Sequence, residues 1–138
     1  MKKFIWIALL PLVSLAQQNT IIPQPVNMQT SNGTFRISKS TVLIAKDAED
    51  KKIAVLFNDY LQQVYGFKLQ LNKAATKNYI RLYTLRFIKA PEHQEGYAMN
   101  VIKDGVTING NSYSGTFYGM QTLIQLLPAD NSKPKTQN

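Results

Sequence analysis

The sequence predicts an α+β fold, a two-layer sandwich in which two helices lie on one face of a mostly antiparallel sheet. Short apolar runs that alternate with polar residues indicate several strands. Two dipeptides, Asn32-Gly33 and Asp104-Gly105, are typical of tight hairpin turns, because their residues tolerate a positive φ. Two longer stretches carry apolar residues at helical spacing on one side only. Each of them predicts a helix that packs on the sheet through that side.

The N-terminal part of the chain is predicted to be extended. Residues 21–25 contain two prolines, which fix φ and favour extended conformations in the residues before them. Residues 26–29 and 34–37 are expected to be strands, joined by the Asn32-Gly33 turn. The β-branched apolar run at residues 41–45 predicts a buried strand.

The first helix is predicted between Asp47 and Gly66. Asp47 is a favourable N-cap, and Glu49 and Asp50 lie in the first turn, where the helix dipole favours acidic side chains. Gly66 supplies the left-handed residue that commonly ends a helix. Six residues form the apolar stripe of this helix: Ile53, Leu56, Phe57, Tyr60, Leu61 and Val64.

The middle of the chain returns to the period of a strand. Four strands are expected, at residues 67–71, 80–84, 97–101 and 106–108. Residues 73–78 and 90–94 are predicted to be loops, since they are polar and lack periodicity. The Asp104-Gly105 dipeptide is expected to join the last two strands through a turn of the primed type.

The second helix is predicted to begin at Ser112 or Ser114 and to end before Pro128. Its apolar side carries Phe117, Met120, Leu123, Ile124 and Leu127. Gly115 and Gly119 each weaken helix propensity by about 1 kcal/mol relative to alanine. A packing reason is therefore expected, namely a close approach of this helix to the sheet.

Residues 1–16 have the pattern of a secretory signal peptide. A positively charged start, Met1-Lys2-Lys3, precedes an apolar run at residues 4–13, and small residues lie before the cleavage site after Ala16. The run is shorter than the roughly 20 residues that span a bilayer, so a retained membrane anchor is the weaker alternative. A secreted or periplasmic protein is expected. It has one domain over residues 17–128 and a polar tail or linker over residues 129–138.

Composition excludes several classes of function. The formal charge is +8, of which Lys2 and Lys3 would leave with the signal. The remaining lysines are scattered and do not interleave with aromatic residues, so no nucleic-acid surface is expected. The chain has no cysteine, which excludes disulfides, thiol catalysis and a lipid-anchored N-terminus.

No catalytic, cofactor-binding or metal site is predicted. The adjacent acidic pair Glu49-Asp50 is explained by its place in the first turn of a helix. His93 is the only histidine, and together with Glu92 and Glu95 in a loop it falls short of a metal centre. No nucleophile elbow accompanies His93, and no phosphate-binding glycine loop occurs.

Two features suggest glycans but have simpler explanations. Tyrosines at five positions could stack on sugar rings, although strand and helix positions favour packing roles: Tyr60, Tyr79, Tyr83, Tyr97 and Tyr118. The segment Asn32-Gly33-Thr34 matches an N-glycosylation sequon, which would matter in a eukaryotic secretory host. The hairpin interpretation of Asn32-Gly33 is favoured over it.

A set of segments, in order, resembles the N-terminal, non-catalytic 20b-type domain of family 20 glycoside hydrolases, the β-N-acetylhexosaminidases. The resemblance covers about residues 21–128. Its segments are Ile21-Ile22-Pro23-Gln24-Pro25, Gly33-Thr34-Phe35, the Asp47 to Gly66 helix with Phe67-Lys68-Leu69, Ile80-Arg81-Leu82, Glu95-Gly96-Tyr97, Lys103-Asp104-Gly105-Val106-Thr107-Ile108 and the Phe117 to Leu127 helix. Similar domains precede the barrels of family 84 glycosidases and α-glucuronidases, so the parent family stays open.

The resemblance implies a domain that packs against a catalytic (β/α)8 barrel and supports it. In that family the barrel carries an adjacent Asp-Glu pair, which serves the substrate's own acetamido group, and glycan is contacted through the barrel. Such a barrel takes about 250 residues, so we expect this chain to lack it and to be inactive alone, without a cofactor. A free-standing secreted carbohydrate- or protein-binding module is the alternative.

Overall fold

The computed structural model describes residues 21–22, 24–29, 33–85 and 94–128. Two helices and a five-stranded sheet are present in this part of the chain, with strand order β2-β1-β3-β5-β4. The elements in chain order are β1 (Val42–Ala45), α1 (Ala48–Tyr65), β2 (Gln70–Asn72), β3 (Tyr79–Thr84), β4 (Tyr97–Ile102), β5 (Gly105–Gly110) and α2 (Tyr113–Leu126).

The expectation of a mostly antiparallel sheet is wrong. Strand β1 pairs in parallel with both β2 and β3, and β3 pairs in parallel with β5. Only β4 and β5 run antiparallel among the described strands. The reason is the connections: α1 carries the chain back between β1 and β2, and a helical crossover of this kind joins parallel strands. The fold is therefore mixed α/β.

One of the two predicted hairpins forms. Strands β4 and β5 pair antiparallel, with Tyr97 opposite Gly110 and Ile102 opposite Gly105. The turn is not of the primed type, because no residue of 103–105 has a positive φ. The other predicted hairpin is wrong in its strands, since residues 26–29 and 34–37 adopt no strand structure. Asn32 itself lies outside the described residues.

The N-terminal segment is held by the second helix instead. The side chain of Gln125 accepts from the Ile22 N–H and donates to the Ile22 carbonyl, both at 2.9 Å. The neighbouring Ile21 is buried. An amide side chain that satisfies both backbone groups of one residue replaces the pairing that a strand would supply.

Both helices have the predicted ends. Asp47 caps α1 by accepting from the Asp50 N–H at 2.8 Å, and Gly66 ends it in the left-handed conformation with φ of 76°. Ser112 caps α2, and its Oγ accepts from the Gly115 N–H. These caps satisfy backbone donors that the first turn of a helix leaves unpaired.

The core lies between the helices and one face of the sheet. Leu43, Ile80 and Val106 are register neighbours on three adjacent strands, and all three are buried. From the helices, Phe57 and Met120 join the same cluster. Both helices contact the sheet, and they contact each other. The two helices therefore lie side by side over one face of the sheet.

The predicted close approach of α2 to the sheet is confirmed. A Cβ at Gly119 would lie 2.5 Å from Cγ2 of Ile108, and one at Gly115 would overlap the Gly96 carbonyl oxygen. Side chains would push the helix away from β5 and from the chain before β4. Glycine at these two positions thus exchanges helix propensity for close packing.

A buried asparagine holds the chain where it enters β2. The amide of Asn58 donates to the Leu69 carbonyl at 3.0 Å and accepts from the Leu69 N–H at 2.8 Å. Both residues are buried. Water therefore cannot replace these bonds without opening the contact between α1 and residue 69.

Replacing Asn58 by alanine is expected to lower the free energy of unfolding by roughly 1–3 kcal/mol, because a buried N–H and a buried carbonyl lose their partners. Chemical denaturation of the 138-residue chain measures the loss. Asn100→Ala is the control, since Asn100 is exposed on β4. Equal stability of the two variants would contradict the proposed role of Asn58.

Candidate functional site

The helices form a groove on the side that faces away from the sheet. Residues of α1 and α2 line an open depression of about 400 Å³ between them. Its lining is Ile53, Leu56, Phe57, Tyr60, Phe117, Met120, Gln121 and Ile124. We call this surface the inter-helix groove. Gln121 and Tyr60 are the lining residues whose side chains carry a polar group.

The groove exists because the apolar stripe of α1 is wider than its contact with the sheet. Ile53 and Phe57 point into the core and are fully buried. Leu56, one residue away from Phe57, is 51% exposed. On the other side, Phe117 and Ile124 of α2 are only partly buried against the core. An apolar strip thus remains open along both helices.

An exposed aromatic side chain of α2 extends this strip. Tyr118 is 42% exposed, and its ring centroid lies 6.0 Å from that of Phe117. Contiguous apolar surface on a folded domain marks a contact with another protein surface, a ligand or a membrane. Neither helix of the described chain combines the length and hydropathy that a membrane span needs. The groove can bury apolar atoms, and it offers little for polar recognition.

The adjacent carboxyls of Glu49 and Asp50 lie in different surroundings. Glu49 lies on the surface, paired with Lys52 at 2.9 Å. Asp50 is buried beneath it and bonds with Thr84. The two carboxyls therefore do not face a common open site. Among the described residues, no group of three or more His, Asp or Glu side chains could hold a metal ion.

The loop around His93 belongs only in part to the described residues. His93 and Glu92 lie outside the described residues, and Glu95 is exposed in the turn before β4.

The tyrosines occupy three different surfaces. Tyr60 lines the inter-helix groove, and the Tyr97 hydroxyl bonds with Thr122 of α2 at 2.5 Å. Tyr79 and Tyr83 lie on the other face of the sheet, because they alternate with the core residues of β3. The Arg81 guanidinium lies 4.8 Å from the Tyr79 ring centroid. Tyr83 alone of these two is exposed, so no extended aromatic platform forms there.

A second apolar hollow lies near the C-terminal ends of the helices. Its volume is about 500 Å³, and its wall includes Phe35, Tyr65, Phe67, Leu127 and Pro128. The Tyr65 hydroxyl donates to the Pro128 carbonyl, which fixes the point where the chain leaves α2. The helices thus present apolar surface both along their length and at their end.

Comparison with known proteins identifies the family to which this fold belongs. Residues 18–137 match the model of glycosyl hydrolase family 20, domain 2. A β-hexosaminidase of Porphyromonas gingivalis is 36% identical over 110 residues, which is 80% of this chain and 14% of that protein. The chain therefore spans about a seventh of the length of this relative.

Solved structures agree with the sequence comparison. The GH20 β-N-acetylhexosaminidase from Streptomyces coelicolor A3(2) superposes with a TM-score of 0.66 at 28% identity, over 78% of this chain and 21% of that one. The N-acetyl-β-hexosaminidase of Streptomyces plicatus gives 0.64 at 28% identity, over 80% and 21%. The chain belongs to glycosyl hydrolase family 20, and residues 18–137 are its domain 2.

Proposed function

We propose that this chain is the non-catalytic supporting domain of a secreted β-N-acetylhexosaminidase. The catalytic domain of the same polypeptide packs on the inter-helix groove. Such an enzyme removes terminal N-acetylhexosamine from glycans. The observation that carries the proposal is the open apolar groove between two helices of a family 20 domain 2.

Chain length supports this choice of partner. The relatives named above are β-hexosaminidases, and the matching region makes up 14% to 21% of their chains. Most of such an enzyme therefore lies outside the matching region and is available to cover the groove. The groove walls are apolar, as expected of a permanent contact within one polypeptide rather than of a site for a polar sugar.

The described residues also support a non-catalytic role. A glycosidase site requires carboxyl groups placed around the scissile bond. Here Glu49 forms an ion pair with Lys52 on the surface, and Asp50 is buried. The export proposed for the enzyme is supported by the charged and apolar pattern of residues 1–16.

Hydrolysis of a chromogenic β-N-acetylglucosaminide distinguishes the isolated domain from the complete enzyme. The 138-residue chain is expected to give no rate above buffer, whereas the product of the complete gene is expected to hydrolyse the substrate. Turnover by the 138-residue chain would contradict the non-catalytic assignment. A complete gene that encodes no catalytic domain would contradict the supporting role and favour a free-standing binding module, to be tested by titration with N-acetylglucosamine oligomers.

A further inference from the structure

The carboxyl group of Asp50 lies where three elements of the fold meet. Asp50 is fully buried in the first turn of α1. Its Oδ1 is 2.6 Å from the Thr84 hydroxyl at the end of β3, which is itself 2.6 Å from the Thr116 hydroxyl of α2. The Thr116 hydroxyl donates to the Ser112 carbonyl at 3.2 Å. Four oxygens thus form one continuous chain.

The three contacts between these four oxygens each need one hydrogen, and the two threonine hydroxyls supply only two. A carbonyl can only accept, so the hydrogen of Thr116 is used at Ser112. The contact between the two threonines then uses the hydrogen of Thr84. The Thr84 hydroxyl can instead donate to Asp50 Oδ1, but the 2.6 Å contact between the two threonines then has no hydrogen. A neutral carboxylic acid supplies the missing hydrogen, whereas a carboxylate leaves one of the three contacts without a donor.

We propose that Asp50 is a neutral carboxylic acid in the folded protein and that its O–H completes a pH-sensitive latch. The latch consists of Asp50, Thr84, Thr116 and the Ser112 carbonyl, and it joins both helices to the end of the central strand β3. Loss of the proton breaks the donor chain and places a charge among buried groups. The fold is then weakened at the end of the sheet where both helices begin.

The electrostatic surroundings favour the protonated form. Burial raises the pKa of Asp50 above its ordinary value of 3.8. Hydrogen bonding with the Thr84 side chain lowers this pKa by less than burial raises it, and the nearby Asp47 carboxyl raises it further. The other carboxyl oxygen, Oδ2, is buried and has no hydrogen-bond partner among the described residues. Asp47 is the titratable group acting on Asp50 there, while β3 and α2 contribute the uncharged hydroxyls of Thr84 and Thr116.

The direction of the pH dependence follows from this shift. An acid with a raised pKa in the folded state binds more protons when folded than when unfolded. Its stabilising contribution is complete below pH 3.8, the unfolded value, and is lost as the pH rises through the folded value. Across that window one such group changes the unfolding equilibrium constant by up to about tenfold per pH unit.

The test compares the pH dependence of unfolding in the 138-residue chain and two variants. Asp50→Asn cannot ionise, and its amide can still donate to Thr84. Glu49→Gln is the control, since Glu49 is on the surface and pairs with Lys52. In Asp50→Asn the loss of stability with rising pH should be absent, so its unfolding constant relative to the native chain should fall as pH rises. Glu49→Gln should keep the native dependence on this side of the profile.

Titration of the Asp50 carboxyl carbon by NMR provides a direct second measurement on the native chain. It keeps the proposal testable if Asp50→Asn fails to fold. A midpoint clearly above 3.8 is expected. A midpoint at or below 3.8, or an Asp50→Asn variant with the same pH profile as the native chain, would overturn the latch.

Discussion

Replacing Gly115 by alanine is expected to lower the free energy of unfolding by about 3 kcal/mol or more, the upper part of the range for overpacked sites. The added Cβ would overlap the carbonyl oxygen of Gly96, which is a backbone atom and cannot rotate away. Alanine improves helix propensity by about 1 kcal/mol, which acts in the opposite direction. The steric term decides the sign, because α2 would have to move away from the chain preceding β4.

Two further variants provide the comparison for Gly115→Ala. At Gly119 the added Cβ would meet the Ile108 side chain at 2.5 Å and the Tyr97 ring at 3.1 Å, so Gly119→Ala should cost less than Gly115→Ala. Ser114→Ala, at an exposed position of the same turn, should change stability by about 0.5 kcal/mol at most. Denaturant unfolding of the three variants measures the order. A Gly115→Ala variant as stable as Ser114→Ala would contradict the close packing of α2.

Phe57→Ala is expected to cost about 3–5 kcal/mol, since it removes a large, fully buried side chain and leaves a cavity. Phe57 belongs to the core cluster and also forms the floor of the inter-helix groove. Its loss therefore weakens both the contact of α1 with the sheet and the shape of the groove. The free energy of unfolding of the 138-residue chain is the measurement.

The neighbouring Leu56 gives the matched control for this variant. It lies on the same helix and lines the same groove, but it is 51% exposed. Leu56→Ala should therefore cost well below the Phe57 value in the isolated chain. Equal losses at the two positions would mean that the helices do not pack as described.

The helices could be predicted from the sequence because their signals are local. Asp47, the apolar stripe and Gly66 lie within one segment, and Ser112 and Pro128 bound the other. The packing role of Gly115 and Gly119 was also predictable, since glycine inside an amphipathic helix needs a compensating contact. The β4–β5 hairpin was predictable from Asp104-Gly105 for the same local reason, although its turn type was not.

Strand direction could not be predicted in this way, because pairing partners are set by contacts between distant parts of the chain. Strand β1 lies between β2 and β3 and pairs with both in parallel. One signal was present: residues 42–45 are continuously apolar, as in strands covered on both faces, and Ile44 is indeed buried on the side away from the helices. The two turn dipeptides, Asn32-Gly33 and Asp104-Gly105, favour antiparallel hairpins and therefore point the other way.

The candidate site was only partly visible in the sequence. The six-residue stripe of α1 was predicted to face the sheet, but Leu56 and Tyr60 line the groove instead. A stripe wider than one packing face was the available signal. The helix dipole explains the position of Asp50 in the sequence, but not its contacts. Thr84, which contacts Asp50, lies 34 residues further along the chain, and Thr116, which contacts Thr84, lies 32 residues beyond that.

The most direct test of the supporting role is thermal inactivation of the full-length enzyme carrying Leu56→Glu, beside Ile102→Glu as the matched control. Both residues are exposed and apolar, but Ile102 lies on β4, away from the groove. The docking proposal predicts that Leu56→Glu lowers the half-inactivation temperature by about 2 °C or more, because a charge is buried against the catalytic domain. Ile102→Glu should leave it unchanged. Equal inactivation of native enzyme and Leu56→Glu would contradict docking at the inter-helix groove.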